Sequence, residues 1–537
     1  MERRYNLPMI ARRGDSLLDT SLGAASRERT GLSSIFKVLF AGLFGLFAIY
    51  TFAESETVLA VAPPLTLLAG GAVLVAAWRD WETGIKALLV VLILEGAIRK
   101  WFLPSASELV YFYKDFLMIV IVVSYLTKQR KLSLLIKSEL KPFSIILGAF
   151  TLYAVAAMSN PALPHPLVGL LGIKAYLLYV PLVFLVPRMF TTKEKLAGFL
   201  KWYLLIALSV AALSAIQFSD PDPNSTLNRY AWDEKTAAAT GMQMQVANFQ
   251  DSAGSMYVRV TGPFSYLAGL AIYLPIMFAL LLGLISQRLK GALPRGFRWI
   301  YHIALAAVAT TAFMTGSRGA VLNLGVIALV FYGLNSKKAL LRRLRQVVVG
   351  VALIWIGLTV FFPQAFNALY TRALGGEEQV EESQSRISEI YNLPFEEAAH
   401  AGAFGYGVGA TQNATPVLMS KLNLPFVGEK IPIGYEGESG RVMLELGVVG
   451  YLLHLLLRLS ILGTILYVCL LIRDVESKSL AVAAAAALIF PLMIGGSMVN
   501  HTQNVYQWFL IGIPLAMLNA ERVAAKPGRS GSRLAAR

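Results

Sequence analysis

Apolar residues run along nearly the whole chain in stretches of about twenty, parted by short polar interruptions. An α-helix rises about 1.5 Å per residue, so such a stretch matches the ~30 Å hydrocarbon core of a bilayer. By that rule the pattern predicts helices near 35–53, 57–78, 84–102, 109–127, 143–159, 167–187, 196–218, 262–286, 299–315, 318–334, 346–366, 440–472, 480–499 and 504–521. Backbone groups inside lipid must be satisfied within the segment, so uninterrupted apolar runs are read as helices. The fold class this implies is all-α: a polytopic helical membrane protein with about fourteen transmembrane helices.

One polar interval breaks the pattern. From about Phe366 to Glu445 the chain reads EEQVEESQSRISEIYNLPFEEAAHAGAFGYGVG and later KIPIGYEGESGRVMLELG, before apolar sequence resumes. Spans need only a few residues to turn, so roughly seventy residues here serve another purpose. A short amphipathic helix is expected near Glu381–His400. The chain thus divides into a basic tail (1–34), eleven spans with a loop at 219–261 (35–366), a large loop (367–439), three more spans (440–521) and a second basic tail (522–537). The smaller loop, SDPDPNSTLNRYAWDEK, has turn chemistry at its Pro and Asn positions. Neither a solenoid repeat nor an inverted repeat is visible in the hydropathy.

Composition agrees with the pattern. Of 537 residues 56% are hydrophobic and only 15% charged, against roughly 25% charged in soluble domains. The net charge of +16 does not call for nucleic acid, because excess Lys and Arg in such proteins gather in cytoplasmic loops beside anionic lipid. The basic segments are the first tail (Arg3, Arg4, Arg12, Arg13, Arg27, Arg29), 128–141, 188–195, 287–298, 337–345 and the last tail. With fourteen spans all of these fall on one side, which orients the chain with both termini in the cytoplasm and the loops 219–261 and 367–439 outside. The polar start lacks a signal-peptide cleavage pattern, so no cleaved leader is expected. The lone Cys469 sits in an apolar run, and the five histidines show no Cys/His spacing suited to zinc. Neither a metal nor a cofactor is expected.

Ionisable groups within spans are costly and are functional candidates by default. Those expected in or above the outer half are Arg99 and Lys100 in EGAIRKWFLP, Lys114 and Asp115 in YFYKDFL, Lys174 in GIKAYLLYVPL, Arg259 in RVTGPFSYL, Arg318 in TGSRGAVLNLG and Arg441 in GESGRVMLELG. Cations outside run against the positive-inside tendency and point to an anionic ligand. Arginine suits phosphate, because its planar fork makes two parallel charge-assisted bonds and stays ionised in apolar surroundings. Ordinary structural roles stand beside these readings. Lys114 and Asp115 point about 100° apart on a helix, and each can pair with another span. Arg99 and Lys100 beside Trp101 can anchor the interface. Lys174 lies mid-span with no nearby acid. Arg441 can pair with Glu438 or Glu445 at helical spacing.

The acids of the long loop end in YEGESGRVMLELG. With a helix starting near Glu438, that residue shares a face with Arg441 and Glu445. A carboxylate beside an arginine at a membrane mouth can serve as a general base, or it can simply stabilise the positive end of the helix. Glu436 and Glu445 are candidate substrate contacts alongside Arg99, Lys100 and Lys174. His400, before a glycine-rich turn, is the second candidate base, although loop histidines are more often exposed and idle. GYGVG lacks the setting and the Lys-Ser/Thr ending of a nucleotide loop.

TGSRGAVLNLGVIALVF, then one span, a large loop and a glycine-bearing helix, resembles the O-antigen ligase and polymerase superfamily. RVTGPFSYLAGLAIYL is similar to that family's Arg-x-x-Gly-Thr-Phe segment, and GYGVGA and ELGVVGYL look like its loop glycines and post-loop helix. EGAIRKWFLP with YFYKDFL looks like its polymerase-like subgroup. The likeness covers about 85–521. It implies a C-type membrane glycosyltransferase fold and action on polyprenyl-diphosphate-linked sugars at the outer face of the bacterial inner membrane. Arg259, Arg318 and Arg441 would hold the donor diphosphate or nearby sugars. Ligases carry a His-Asn pair just before the post-loop helix; here Glu436-Gly437-Glu438-Ser439 stands there. That makes a glutamate the natural base and favours polymerase over ligase.

The leading expectation is therefore a metal-independent enzyme that polymerises, or ligates, undecaprenyl-diphosphate-linked oligosaccharide units. Glu438, His400 and Arg318 are its catalytic candidates. Its partners would be the lipid-linked donor, a growing glycan acceptor, membrane lipid and other polysaccharide assembly proteins. The alternatives are a ligase to a lipid or protein acceptor, and a lipid-linked sugar flippase or transporter, which should show repeats and midplane helix breaks.

Overall fold

The computed structural model describes residues 56–103, 106–128, 140–220, 256–286, 298–335, 337–363, 391–412, 414–424, 437–494 and 500–525, with scattered positions between them. Two compact units divide the chain, Met1–Leu65 and Thr66–Arg537. In the first, the described residues are helical and open α1 (Glu56–Arg79); the expected span at 35–53 lies outside the described residues. The second carries everything that follows.

Most of its helices overlap the expected apolar runs, but the helix Lys337–Phe361 starts within the basic segment 337–345 expected as a loop, before the run expected at 346–366. They are α2 (Trp81–Ala97), extended by a π-helical turn Ile98–Phe102, then α3 (Ser107–Lys128), α4 (Lys141–Ala156), α5 (Pro166–Leu177), α6 (Leu182–Met189), α7 (Lys193–Tyr203) and α8 (Ile206–Ser219). After a short hairpin come α9 (Leu267–Ile285), α10 (Arg298–Met314), α11 (Arg318–Asn335) and α12 (Lys337–Phe361). A helix over 391–401 and α13 (Thr415–Lys421) lead to α14 (Glu438–Leu471), α15 (Val475–Ile494) and α16 (His501–Ala524). Polar caps set several starts. Asp80 accepts from the Glu82 and Thr83 N–H groups, Thr192 from Lys195 N–H, and Asn500 from Thr502 and Gln503 N–H.

Among the described residues, eight helical segments are long and apolar enough to cross a membrane, and three more are apolar but shorter. Several expected spans are broken. The run 167–187 is two helices parted at 178–181, and 196–218 is parted at Leu204–Leu205. The run 262–286 begins only at Leu267, because 259–265 forms a non-helical loop. The all-α expectation also meets one small exception. In the loop 219–261, strands β1 (Asn248–Gln250) and β2 (Met256–Val258) pair antiparallel, with Phe249 opposite Tyr257. Of the helix expected at Glu381–His400, residues 391–401 are helical, and most of the earlier part lies outside the described residues.

The core is built on α9, α15 and α16. Ala483 to Ala487 of α15 are fully buried, and a Cβ on Gly283 of α9 would come within 2.8 Å of the Ala483 methyl. Small residues let apolar helices approach closely, which supplies the van der Waals packing that lipid cannot drive by exclusion.

Candidate functional site

One group of ionisable residues in the apolar core gathers where the end of α2, α3, α5 and the start of α16 meet. Glu95 pairs with Lys114 Nζ at 2.6 Å and with Arg99 Nη1 at 3.5 Å. Lys174 Nζ lies 2.6 Å from Asp115 Oδ2, and the Tyr179 hydroxyl donates to Asp115 Oδ1. The expectation that Lys174 has no nearby acid is therefore corrected. Asp115 is distant in sequence and comes alongside only when α3 packs near α5. Lys114 and Asp115, adjacent in the chain, indeed turn to different helices.

Three cations close on one ring. Arg99, Lys114 and Lys174 lie 5.3, 4.3 and 4.7 Å from the centroid of Tyr111, within cation–π reach. The Tyr111 hydroxyl bonds to His501 Nε2 at the start of α16. Arg441 is near enough for its charge to act on both Tyr111 and Tyr176. Buried charge is tolerated when paired. Among the described residues, Arg99, Lys114 and Lys174 pair with two carboxylates, Glu95 and Asp115.

A second corner joins EGAIRK to RVTGPFS. Gly96 sits so close to the loop that a Cβ there would lie 2.1 Å from Ser265 N, which is why glycine occupies the position. Arg99 donates to Ser265 Oγ (3.2 Å), Ser107 Oγ (2.9 Å) and Ala231 O (3.3 Å). Lys100, buried, donates to Thr261 Oγ1 (3.0 Å) and Gly262 O (2.6 Å). Arg259 Nε donates to Thr315 O at 3.0 Å, three residues before Arg318 opens α11. Gly316, with φ +60°, makes the turn between them. Five separate sequence stretches thus form one continuous polar seam.

The third part is the start of α14, and it corrects the reading of 440–472 as a single span. Gly447 has φ +66° and ψ −174°, and it breaks the helix into Glu438–Leu446 and Val448–Leu471. The proof lies in one distance. Glu438 and His454 would stand roughly 24 Å apart on a straight helix, yet His454 Nε2 is 3.8 Å from Glu438 Oε1. The first segment therefore folds back along the second as a short re-entrant helix.

The glycine-rich loop fills the break. Tyr406 and Gly407 N–H donate to the Leu444 and Glu445 carbonyls at 2.8 and 2.9 Å, while Val448 and Val449 N–H donate to the Gly402 and Ala403 carbonyls at 3.1 and 3.2 Å. The backbone groups freed at the kink are thereby satisfied, as an apolar setting requires. The same loop grips Glu445. Its carboxylate accepts from Thr411 Oγ1 (2.8 Å), Thr411 N–H (3.2 Å), Gln412 Nε2 (3.3 Å) and Tyr176 OH (2.9 Å). These four bonds make Glu445 the anchor that ties the loop and α5 to the re-entrant helix. Gly409 and Gly172 meet face to face, with room for neither Cβ.

Glu438 is differently placed. It is 4% exposed; Oε2 accepts from Met498 N–H at 2.6 Å and Oε1 faces His454. Glu438, Arg441 and Glu445 are all buried, as is Arg259, and Arg318 is half-buried. His400 is exposed near the end of the helix over 391–401. Glu436 lies outside the described residues. Two histidines with polar roles escaped sequence reasoning, His454 and His501. Each is an ionisable group in or at the mouth of an apolar run, and that signal alone could have marked them.

Comparison of the chain with protein-family models and with curated proteins finds no match.

Proposed function

We propose that the chain is a C-type membrane glycosyltransferase of the polymerase-like subgroup of the O-antigen ligase and polymerase superfamily. It joins undecaprenyl-diphosphate-linked oligosaccharide units to a growing glycan at the outer face of the bacterial inner membrane. It crosses that membrane about fourteen times with both termini in the cytoplasm, and uses no metal or cofactor. The observation that carries this reading is the convergence of Arg99, Lys114 and Lys174 on Tyr111, with Arg441 near the same ring and one turn from the buried carboxylate of Glu438. The surplus of fixed cations among the described residues of this cluster suits a ligand that carries its own negative charge into the site.

In this mechanism the acceptor hydroxyl attacks the anomeric carbon as the bond to diphosphate breaks. Glu438 takes the hydroxyl proton, and the arginines Arg259, Arg318 and Arg441 oppose the charge growing on the leaving group. Preorganised donors in a low-dielectric site act strongly on such charge. His400, exposed, is the weaker candidate base.

The test is to give the purified protein undecaprenyl-diphosphate-linked repeat units. A polymerase yields a ladder of chain lengths, a ligase a single transfer to a lipid or protein acceptor, and a flippase no chemical change. Reporter fusions at Lys131, Lys290 and Lys338 should report cytoplasm, and those at Ser225 and Gln384 the outside. A cytoplasmic signal at Gln384 would overturn the topology.

A further inference from the structure

We infer that His454 is the proton partner of Glu438, a positioning residue that fixes the carboxylate and takes over its proton. The inference rests on the reading of Glu438 as the base, and it adds a residue that reading did not contain.

Geometry carries it. His454 is 1% exposed, and its Nε2 has no hydrogen-bond partner. A buried imidazole nitrogen left unmade costs free energy comparable to a lost hydrogen bond, so its position against Glu438 asks for a reason. The two residues meet only because the chain reverses at Gly447. Met498 N–H donates to Oε2 of Glu438, and Oε1 faces the imidazole. Phe150 of α4 flanks the ring at 5.9 Å between centroids. The present gap of 3.8 Å exceeds a hydrogen bond by about 1 Å. A small approach of the re-entrant helix closes it.

Among the described residues, the charged and titratable groups around the pair come from four elements. Arg458 lies one turn beyond His454 on the same helix and donates through Nε to Leu492 O of α15 at 2.8 Å. Arg441 and Glu445 share the re-entrant segment, Tyr176 comes from α5, and Tyr153 of α4 donates to Leu446 O at 2.6 Å.

The step balances without a further reactant. The hydroxyl oxygen's electron pair forms the new bond to the anomeric carbon, and the diphosphate leaves with the pair of the broken bond. The hydroxyl proton goes to a Glu438 oxygen. The lone pair of His454 Nε2 then receives that proton, which regenerates the carboxylate and leaves an imidazolium paired with it.

Two measurements on the full-length protein in detergent test this. In infrared spectra taken across pH, the carboxylic C=O band that disappears in Glu438→Gln reports protonation of Glu438. The pH at which that band appears should move by at least about one unit in His454→Gln and in His454→Phe, two variants that fill the site differently and are read only where the protein elutes as wild type does. Turnover of lipid-linked units by His454→Gln should fall at least tenfold with a changed pH profile, while donor binding stays within twofold. A moved band in a protein that transfers no sugar would leave the proton pair standing and overturn the glycosyltransferase reading. An unmoved band in both variants, or wild-type turnover and pH profile in His454→Gln, would overturn the pair.

Discussion

Replacing Gly447 with alanine is expected to undo the joint between the loop and the broken helix. At φ +66° and ψ −174° the residue occupies a region open essentially to glycine alone, where another residue costs about 1–3 kcal/mol. The added methyl would lie 2.4 Å from both Ala403 O and Gly405 N, and 2.5 Å from Ala403 C. All three are backbone atoms, so no side chain can swing aside and the loop itself must withdraw. Four hydrogen bonds join the loop to the break, each worth about 0.5–1.5 kcal/mol net. Losing two of them and adding the strain gives roughly 2–6 kcal/mol. Hydrogen exchange on the detergent-solubilised protein reads this directly. The amides of Tyr406, Gly407, Val448 and Val449 should lose protection together. Gly463→Ala on the same helix, where an added Cβ meets nothing within 4 Å, should leave them protected and gain up to about 1 kcal/mol in helix propensity. Unchanged protection of those four amides in Gly447→Ala would refute the re-entrant geometry.

Other consequences follow from the charge cluster and its borders. Lys174→Met should destabilise the protein by about 3–5 kcal/mol by stranding Asp115; adding Asp115→Leu should recover much of it in a double-mutant cycle of thermal unfolding, and strictly additive losses would disprove the coupling. Arg318→Lys should lose most polymerising activity while the protein still inserts, because an ammonium cannot reproduce the bidentate fork; Arg259→Ala and Arg441→Ala should behave alike, and normal polymer from Arg318→Lys would reduce that residue to an anchor. Burial pushes the Asp474 carboxyl up, but the Ser477 N–H and hydroxyl and the Lys193 ammonium together hold it below the usual 3.8. A depressed carboxyl stabilises the fold above its unfolded value and ceases to do so as pH falls through its folded one. Wild type and Asp474→Asn should therefore differ in Tm at neutral pH and converge in acid; a difference that persists in acid would rule this out.

The helices were legible because an apolar run long enough to cross a membrane shows itself as length and composition. The apolar runs 57–78, 109–127 and 318–334 became helices almost residue for residue. The breaks were not legible. ELGVVG reads as ordinary apolar helix, and only the loop's return to Leu444–Val449 reveals why Gly447 must leave it. Single residues of the site could be picked out by the cost of charge in a span. Their pairing could not, since Lys174 with Asp115 and Arg259 with Thr315 depend on which helices become neighbours. The loop histidine His400 drew notice for its glycine turn, whereas His454, hidden among leucines, is the one the fold brings to Glu438.

The most direct measurement is turnover and donor binding, followed separately, in purified Glu438→Gln and His400→Ala. The amide keeps the shape of the carboxylate and loses its basicity. Glu438→Gln should consume no lipid-linked repeat units yet bind the donor as wild type does, and His400→Ala should cost far less. Full turnover in Glu438→Gln would contradict the account and leave the cations, without a carboxylate base, as what remains of the mechanism.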